Sequence, residues 1–147
     1  MGRPSGAKGA RPPRRKIVIR RMPGKAKGEL QLWEGRRIKH RFPVVVGGKK
    51  TPTPTGKFTI DEVNRRPHYK NPKNGKITPY SMRCPLWPTL VVFRDAKGNR
   101  LKQSMHGTTQ AGFREGVESH GCVRLRRADM LELTQHLYEG MEVEIKD

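Results

Sequence analysis

The sequence predicts a mainly β fold, a mostly antiparallel β-sandwich with one main helix in its C-terminal half. Short apolar segments, alternating or clustered, recur between turns rich in glycine and proline, as they do in strands. Asp95–Asn99 (DAKGN) separates two such segments and indicates a β-hairpin. A helical period of apolar residues begins only at Ala128.

The first half of the chain contains four predicted strands before its least regular region. These strands are 16–20, 29–33, 42–46 and 57–60. Glu34-Gly35 marks a hairpin turn after the second strand, and Pro52 and Pro54 force an extended loop before the fourth. Residues 64–88 contain several prolines and aromatics without a clear period, which is typical of a long loop or lid.

The second half contains a hairpin, a helix and a last strand. Strands 90–93 and 100–105 flank the DAKGN turn, and the second of them delivers His106 at its end. We expect an amphipathic helix from Ala128 to Gly140, since Met130, Leu133 and Leu137 lie at i, i+3 and i+7. Residues 141–145 (MEVEI) alternate as the final strand.

Length and composition favour one folded domain with a basic tail. The chain has 147 residues, a net charge of +19 and a pI near 10.8, which favour anionic surroundings such as an acidic polymer. We expect residues 1–15 to be a disordered basic tail and residues 16–147 to form the domain. The sequence shows no apolar core of a signal peptide and no membrane span.

Ser104–Leu125 (SMHGTTQAGFREGVESHGCVRL) concentrates the reactive side chains. It holds His106, His120 and Cys122, and a glycine follows each histidine. A thiol at a tight glycine turn, with an imidazole within reach, is the arrangement that nucleophilic catalysis needs. The backbone N–H groups of Gly121 and Cys122 are candidates for an oxyanion hole.

The nucleophile in such chemistry is the thiolate, which basic neighbours or a helix N-terminus favour. Arg124, Arg126 and Arg127 follow Cys122 closely. Because the predicted helix starts at Ala128, we also expect Cys122 to lie near its beginning.

Simpler explanations exist for each of these residues. Cys122 could be a small buried side chain, and His106 a structural histidine. His120 is as well suited to supporting the site as to contacting substrate. A zinc site from these three residues is conceivable, although structural zinc usually takes four ligands in closer pairs.

Two motifs resemble the L,D-transpeptidase catalytic domain, the YkuD-type family. His106-Gly107-Thr108 is similar to the family's H-G-x, and Ser119–Leu125 (SHGCVRL) to its S-H-G-C-x-R/N block. Upstream, Thr53–Ile60 (TPTGKFTI) is similar to the family's T-P-x-G-x-F/Y-x-I segment. The resemblance extends from about Lys16 to the C-terminus, and it implies an L,D-transpeptidase-like β-sandwich with one main helix in the C-terminal half.

The resemblance implies a role for each matching residue. Cys122 would be the nucleophile and His106 the general base, with the backbone carbonyl of Gly107 orienting the imidazole. His120 would shape the turn and the substrate subsite, and Gly121 with Cys122 would supply the oxyanion N–H groups. The implied substrate-binding residues are Arg124, Ser119, Tyr80 and Trp87.

The resemblance also implies a reaction, a place and a set of partners. The family cleaves the bond before the terminal D-residue of a peptidoglycan tetrapeptide stem, forms a cysteine thioester and passes the acyl group to a second stem as a 3→3 cross-link. It works in the cell envelope, uses no metal or organic cofactor, and is acylated by carbapenems. The basic tail is a candidate contact for anionic wall polymer.

Two other functions are compatible with the residues. An L,D-carboxypeptidase would use the same site with water as the acceptor. A non-catalytic basic protein could bind anionic polymer through charge alone, although no nucleic-acid-binding module is recognisable and specific nucleic-acid binding is not expected.

Overall fold

A computed structural model describes residues 14–22, 24–65, 68–70, 73–79, 89–108, 110, 113 and 121–147. Within these residues the chain forms ten strands and one helix. The strands are β1 (Arg15–Arg21), β2 (Lys27–Glu34), β3 (Arg37–Val45), β4 (Gly56–Asn64), β5 (His68–Lys70), β6 (Ile77–Pro79), β7 (Leu90–Arg94), β8 (Arg100–Thr108), β9 (Val123–Arg126) and β10 (Glu142–Lys146). The helix is α1 (Arg127–Thr134).

Eight of the strands form one closed sheet. Their order is β1-β10-β4-β7-β8-β9-β3-β2, and β5 pairs with β6 in a separate two-stranded sheet. The pairs β1·β10 and β8·β9 are parallel, and the other pairs are antiparallel. The mainly β class with one main helix is confirmed, and the strands of the predicted sandwich are joined into a continuous barrel.

The core is built from the alternate residues of the barrel strands. In β1, Ile17 and Ile19 are fully buried, and in β10 their register partners Val143 and Ile145 are buried as well. Burying such a side chain contributes about 1.5–3 kcal/mol to folding. The largest fully buried side chains are Phe93, Ile17, Ile19, Leu30, Leu32, Ile60, Met105, Leu125, Met130, Leu133, Met141 and Ile145.

The predicted hairpin after residue 94 is confirmed. Asp95 Oδ1 accepts hydrogen bonds from the backbone N–H groups of Lys97 and Asn99, both at 2.9 Å. Gly98 has a φ of +89°, a conformation that favours glycine. This turn fixes the register of β8, the strand that contains His106.

The helix is shorter than the sequence predicts, so the expected end at Gly140 is wrong. After Thr134 the backbone N–H groups donate to carbonyls three residues earlier instead of four, as His136 N–H does to Leu133 O at 2.9 Å. Thr134 Oγ1 also donates to Met130 O at 2.6 Å, and Arg65 donates to Thr134 O at 3.2 Å. The bonds from His136 and Arg65 satisfy carbonyls of the last turn in place of a further helical turn, although Leu137 beyond it is still buried.

In the described part of the chain, no helix has the length and the apolar character that crossing a membrane requires.

Candidate active site

The parallel pairing of β8 with β9 aligns the two halves of the reactive stretch. Met105 lies opposite Val123, and His106 lies opposite Arg124. Met105 and Val123 are buried in the barrel core. Since side chains alternate along a strand, the residues on either side of this pair project to the other face of the sheet.

Cys122 therefore lies beside Ser104, immediately before β9 begins. Its Sγ atom is 3.5 Å from Ser104 N and 3.6 Å from Ser104 Oγ, and the residue is partly exposed. The backbone N–H of Ser104 donates towards the sulfur. β9 separates Cys122 from α1, so the expectation that this cysteine lies near a helix start is wrong.

His106 is held in one tautomer by its neighbour. Its Nδ1 atom is 2.9 Å from Gly107 O. Because a carbonyl oxygen can only accept, Nδ1 carries the proton and Nε2 keeps its lone pair. The same residue is only 4% exposed.

Burial sets the charge of this imidazole. Desolvation lowers the pKa of His106 to about 4, the hydrogen bond to Gly107 opposes that shift, and the positive charge of Arg124 adds to it. At neutral pH the ring is uncharged and able to accept a proton through Nε2.

Thr53 ties the turn before Cys122 to a second loop. Its hydroxyl donates to Gly121 O at 2.8 Å and accepts from Gly47 N–H at 2.8 Å. Thr53 is 1% exposed, so these bonds are shielded from water. Arg21 in turn donates to Thr53 O at 2.5 Å, which secures the loop to β1.

Both backbone partners of Thr53 have to be glycine. Gly121 has a φ of +98°, and a Cβ there would lie 2.7 Å from Cγ of Gln103. A Cβ on Gly47 would lie 2.0 Å from Thr51 O and 2.9 Å from the Cα of Gly121. The two loops thus pack backbone against backbone, directly behind the turn that leads into Cys122.

A basic cleft of about 720 Å³ adjoins this contact. Gly47 and Gly48 form part of its wall, together with Arg21 and Lys25 and, from the same loop, Lys49 and Lys50. Asp147 also lines it and accepts from Arg21 Nε at 2.7 Å. The charged residues of its lining are four basic side chains and one acidic one, so the cleft favours anionic ligands.

The family model for the L,D-transpeptidase catalytic domain matches residues 14–145. This chain belongs to the L,D-transpeptidase catalytic domain family. YkuD of Bacillus licheniformis is 32% identical over 116 residues, which are 79% of this chain and 58% of that protein. YkuD of Bacillus subtilis is 29% identical over the same length, and again 58% of the relative is covered. This L,D-transpeptidase domain thus spans about three-fifths of the curated relatives it matches.

Solved L,D-transpeptidases share the fold of this domain. An Enterococcus faecium L,D-transpeptidase mutant matches with a TM-score of 0.63 at 20% identity, covering 90% of this chain and 49% of that one. An L,D-transpeptidase from Stackebrandtia nassauensis matches with a TM-score of 0.61 at 18% identity, covering 97% of this chain and 60% of that one.

The residues predicted for this L,D-transpeptidase site divide into two groups. Those that the structure describes lie together in β8, in β9 and in the two residues directly before β9: His106, Gly107, Gly121, Cys122 and Arg124. The others, Ser119, His120, Tyr80 and Trp87, lie outside the described residues.

The sequence-based prediction missed Ser104 and Thr53 as site residues. Thr53 lies in the TPTG segment that carried part of the family resemblance, yet we interpreted Pro52 and Pro54 only as residues that force an extended loop. A threonine between two prolines is suited to a fixed loop, but one of its partners, Gly121, is 68 residues away in sequence. For Ser104, the alternation of β8 would have placed it on the face of His106.

Proposed function

We propose that this domain is a peptidoglycan L,D-transpeptidase that forms 3→3 cross-links through a Cys122 thioester. The observation that carries the proposal is the pairing of β8 with β9, because it brings a partly exposed thiol alongside the strand of a buried, neutral histidine. A neutral imidazole with Nδ1 fixed on Gly107 has only Nε2 left to act as base.

Acylation begins with proton transfer from the Cys122 thiol to Nε2 of His106. The thiolate attacks the carbonyl carbon before the terminal D-residue of the donor stem. The backbone N–H groups of Gly121 and Cys122 stabilise the oxyanion that forms. When the tetrahedral intermediate collapses, the C–N bond breaks, the imidazolium returns its proton to the leaving amine, and a thioester remains.

Deacylation repeats these steps with a second stem as acceptor. Its side-chain amine attacks the thioester carbonyl, His106 removes the amine proton, and the new amide forms as the C–S bond breaks. The proton then returns to the Cys122 sulfur, so the cycle closes without a metal or an organic cofactor. Water in place of the amine would give L,D-carboxypeptidation.

The positive charge around the site supports an acidic peptide as the donor. Arg124, opposite His106 in the parallel pair, is the proposed contact for a stem carboxylate. The basic cleft beside Gly47 offers a second anchoring point for carboxylates. Ser119, His120, Tyr80 and Trp87 complete the proposed substrate contacts.

We place the domain in the cell envelope, where peptidoglycan stems are found. The predicted tail of residues 1–15 extends one residue too far, because Arg15 is the first residue of β1 and pairs with Glu34. We propose that the basic residues before β1 hold the domain on anionic wall polymer, and that the chain from β1 onward is the catalytic domain. The net charge of +19 supports this attraction.

Chromatography of reaction products tests the proposal. Wild-type protein incubated with a tetrapeptide donor and an acceptor stem should release the terminal D-residue and yield a cross-linked dimer. Cys122→Ala should give neither product, whereas Cys84→Ala is the matched control and should retain both. Release of the D-residue without a dimer would identify a carboxypeptidase instead.

The role of His106 is tested separately by thiol labelling. His106→Ala should slow the reaction of Cys122 with iodoacetamide near neutral pH, because the thiol loses its base. Labelling at the wild-type rate would remove His106 from the mechanism while leaving the nucleophile in place.

A further inference from the structure

A second cluster of reactive side chains lies where the turn after α1 meets β3. It consists of His40 on β3, Glu132 in α1 and His136 just beyond the helix. One ligand atom of each residue lies within 4.8 Å of the others. None of the three takes part in the proposed transpeptidation.

The spacing within this cluster matches that of metal ligands. In a tetrahedral zinc site with bonds of about 2.0–2.1 Å, neighbouring ligand atoms are roughly 3.3 Å apart. His136 Nε2 and Glu132 Oε2 are 3.3 Å apart, so this pair already has the required separation. Only the His40 ring has to move closer for three ligands to converge.

The two imidazoles are held on different elements by contacts of their own. The His40 ring stacks on Phe42, a core residue, with centroids 5.7 Å apart and planes 14° apart. The centroids of the His40 and His136 rings are 5.2 Å apart, and the ring planes are tilted by 41°. The cluster is open to solvent on the side of Glu132, whose side chain is 46% exposed, while the side chain of His136 is 17% exposed. Water can therefore reach a fourth ligand position.

An ordinary helix ion pair explains only part of this arrangement. Glu132 and His136 are four residues apart, and such surface pairs contribute little to stability. That explanation leaves no role for His40, which reaches the pair from a strand far away in sequence. A metal ion accounts for all three residues, because imidazole and carboxylate ligands suit zinc.

We propose that His40, Glu132 and His136 bind one divalent transition-metal ion, with Zn²⁺ the best fit and water as the fourth ligand. The ion replaces the proton between His136 and Glu132 and joins β3 to the end of α1. β3 pairs with β9 through Val45 and Arg124, and α1 follows β9 directly. The site therefore braces two elements next to β9, the strand that follows Cys122: its sheet partner β3 and the helix α1 that comes after it.

Metal titration of an untagged, chelator-treated protein tests the proposal. The parent is the Cys84→Ala/Cys122→Ala variant, since free thiolates would bind zinc themselves. Calorimetry with ZnCl₂ should show one ion per chain and a higher thermal midpoint in its presence. With Co²⁺, visible absorption bands of a tetrahedral complex should appear.

Three single substitutions in this parent assign the ligands. His40→Gln, His136→Gln and Glu132→Gln should each weaken zinc binding by about tenfold or more and remove the cobalt bands. Glu139→Gln is the matched control, because Glu139 is exposed in the same region and outside the cluster, and it should bind as the parent does.

Two results would overturn the site. One is the absence of zinc binding to the folded parent. The other is unchanged affinity in the folded ligand variants, which would assign the ion to other residues. If His40→Gln fails to fold, the exposed Glu132→Gln variant decides the question. The test is independent of the proposed reaction, since its parent lacks Cys122.

Discussion

Replacing Thr53 with valine tests the contact that holds the turn at Gly121, directly before Cys122. Valine has nearly the same shape but no hydroxyl, so Gly47 N–H loses its acceptor and Gly121 O loses its donor. A buried polar group left without a partner costs about 1–3 kcal/mol. Two such groups predict a loss of roughly 2–6 kcal/mol in the free energy of unfolding, a large share of an ordinary domain's stability.

The measurement is urea denaturation followed by tryptophan fluorescence and far-ultraviolet circular dichroism. Thr55→Val is the matched control, because Thr55 is exposed two residues away, and it should change stability by less than about 0.5 kcal/mol. Thr53→Ser keeps the hydroxyl and loses one methyl group, so it should recover all but about 1 kcal/mol.

The same variants separate stability from function. At a temperature where Thr53→Val is fully folded, Cys122 should still be acylated more slowly than in wild type, because the carbonyl of Gly121 is no longer fixed. If Thr53→Val proved as stable as Thr55→Val, the hydroxyl would not be holding the two loops and this reasoning would be refuted.

Three further predictions use other features of the site. Burial lowers the pKa of His106 to about 4, so between about pH 6.5 and 4 the unfolded chain binds more protons than the folded one. As the pH falls through that range, the free energy of unfolding of wild type should therefore decrease by roughly 3 kcal/mol. His106→Gln should lack this part of the pH dependence in denaturation curves. Gly121→Ala should destabilise the domain by at least about 1–2 kcal/mol and slow thiol labelling, because its φ of +98° is unfavourable for alanine; wild-type melting would contradict this. Removing residues 1–13 should weaken sedimentation with wall sacculi and leave turnover of a soluble stem peptide unchanged; a large loss of soluble activity would contradict the role of the tail.

The sequence predicted the parts of the fold that leave a local mark. The Asp95 turn, with its glycine at positive φ, indicated the hairpin that carries His106. Alternation in 141–145 indicated β10, whose bounds are Glu142–Lys146. The short strand β9 was not predicted, because Val123–Arg126 is interrupted by arginines and pairs with strands that are distant in sequence.

Long-range contacts explain the remaining differences. The parallel pairs β1·β10 and β8·β9 close the barrel, and neither pairing leaves a pattern in a single segment. Where the helix ends, a bond from Arg65, just after β4, satisfies the carbonyl of Thr134, and this contact leaves no pattern in the sequence of the helix. Cys122 and His106 were predicted as site residues from their motifs, whereas the contribution of Thr53 depends on bonds to Gly47 and Gly121 that only the fold creates.

Intact-protein mass after incubation with a tetrapeptide stem tests the Cys122 thioester most directly. Wild type should gain one stem without its terminal D-residue. In a separate incubation, a carbapenem should also give one stoichiometric adduct. Cys122→Ala should gain neither. Absence of both adducts from folded wild-type protein with a free thiol would contradict the acyl-enzyme and favour a non-catalytic domain that binds anionic polymer through its charge.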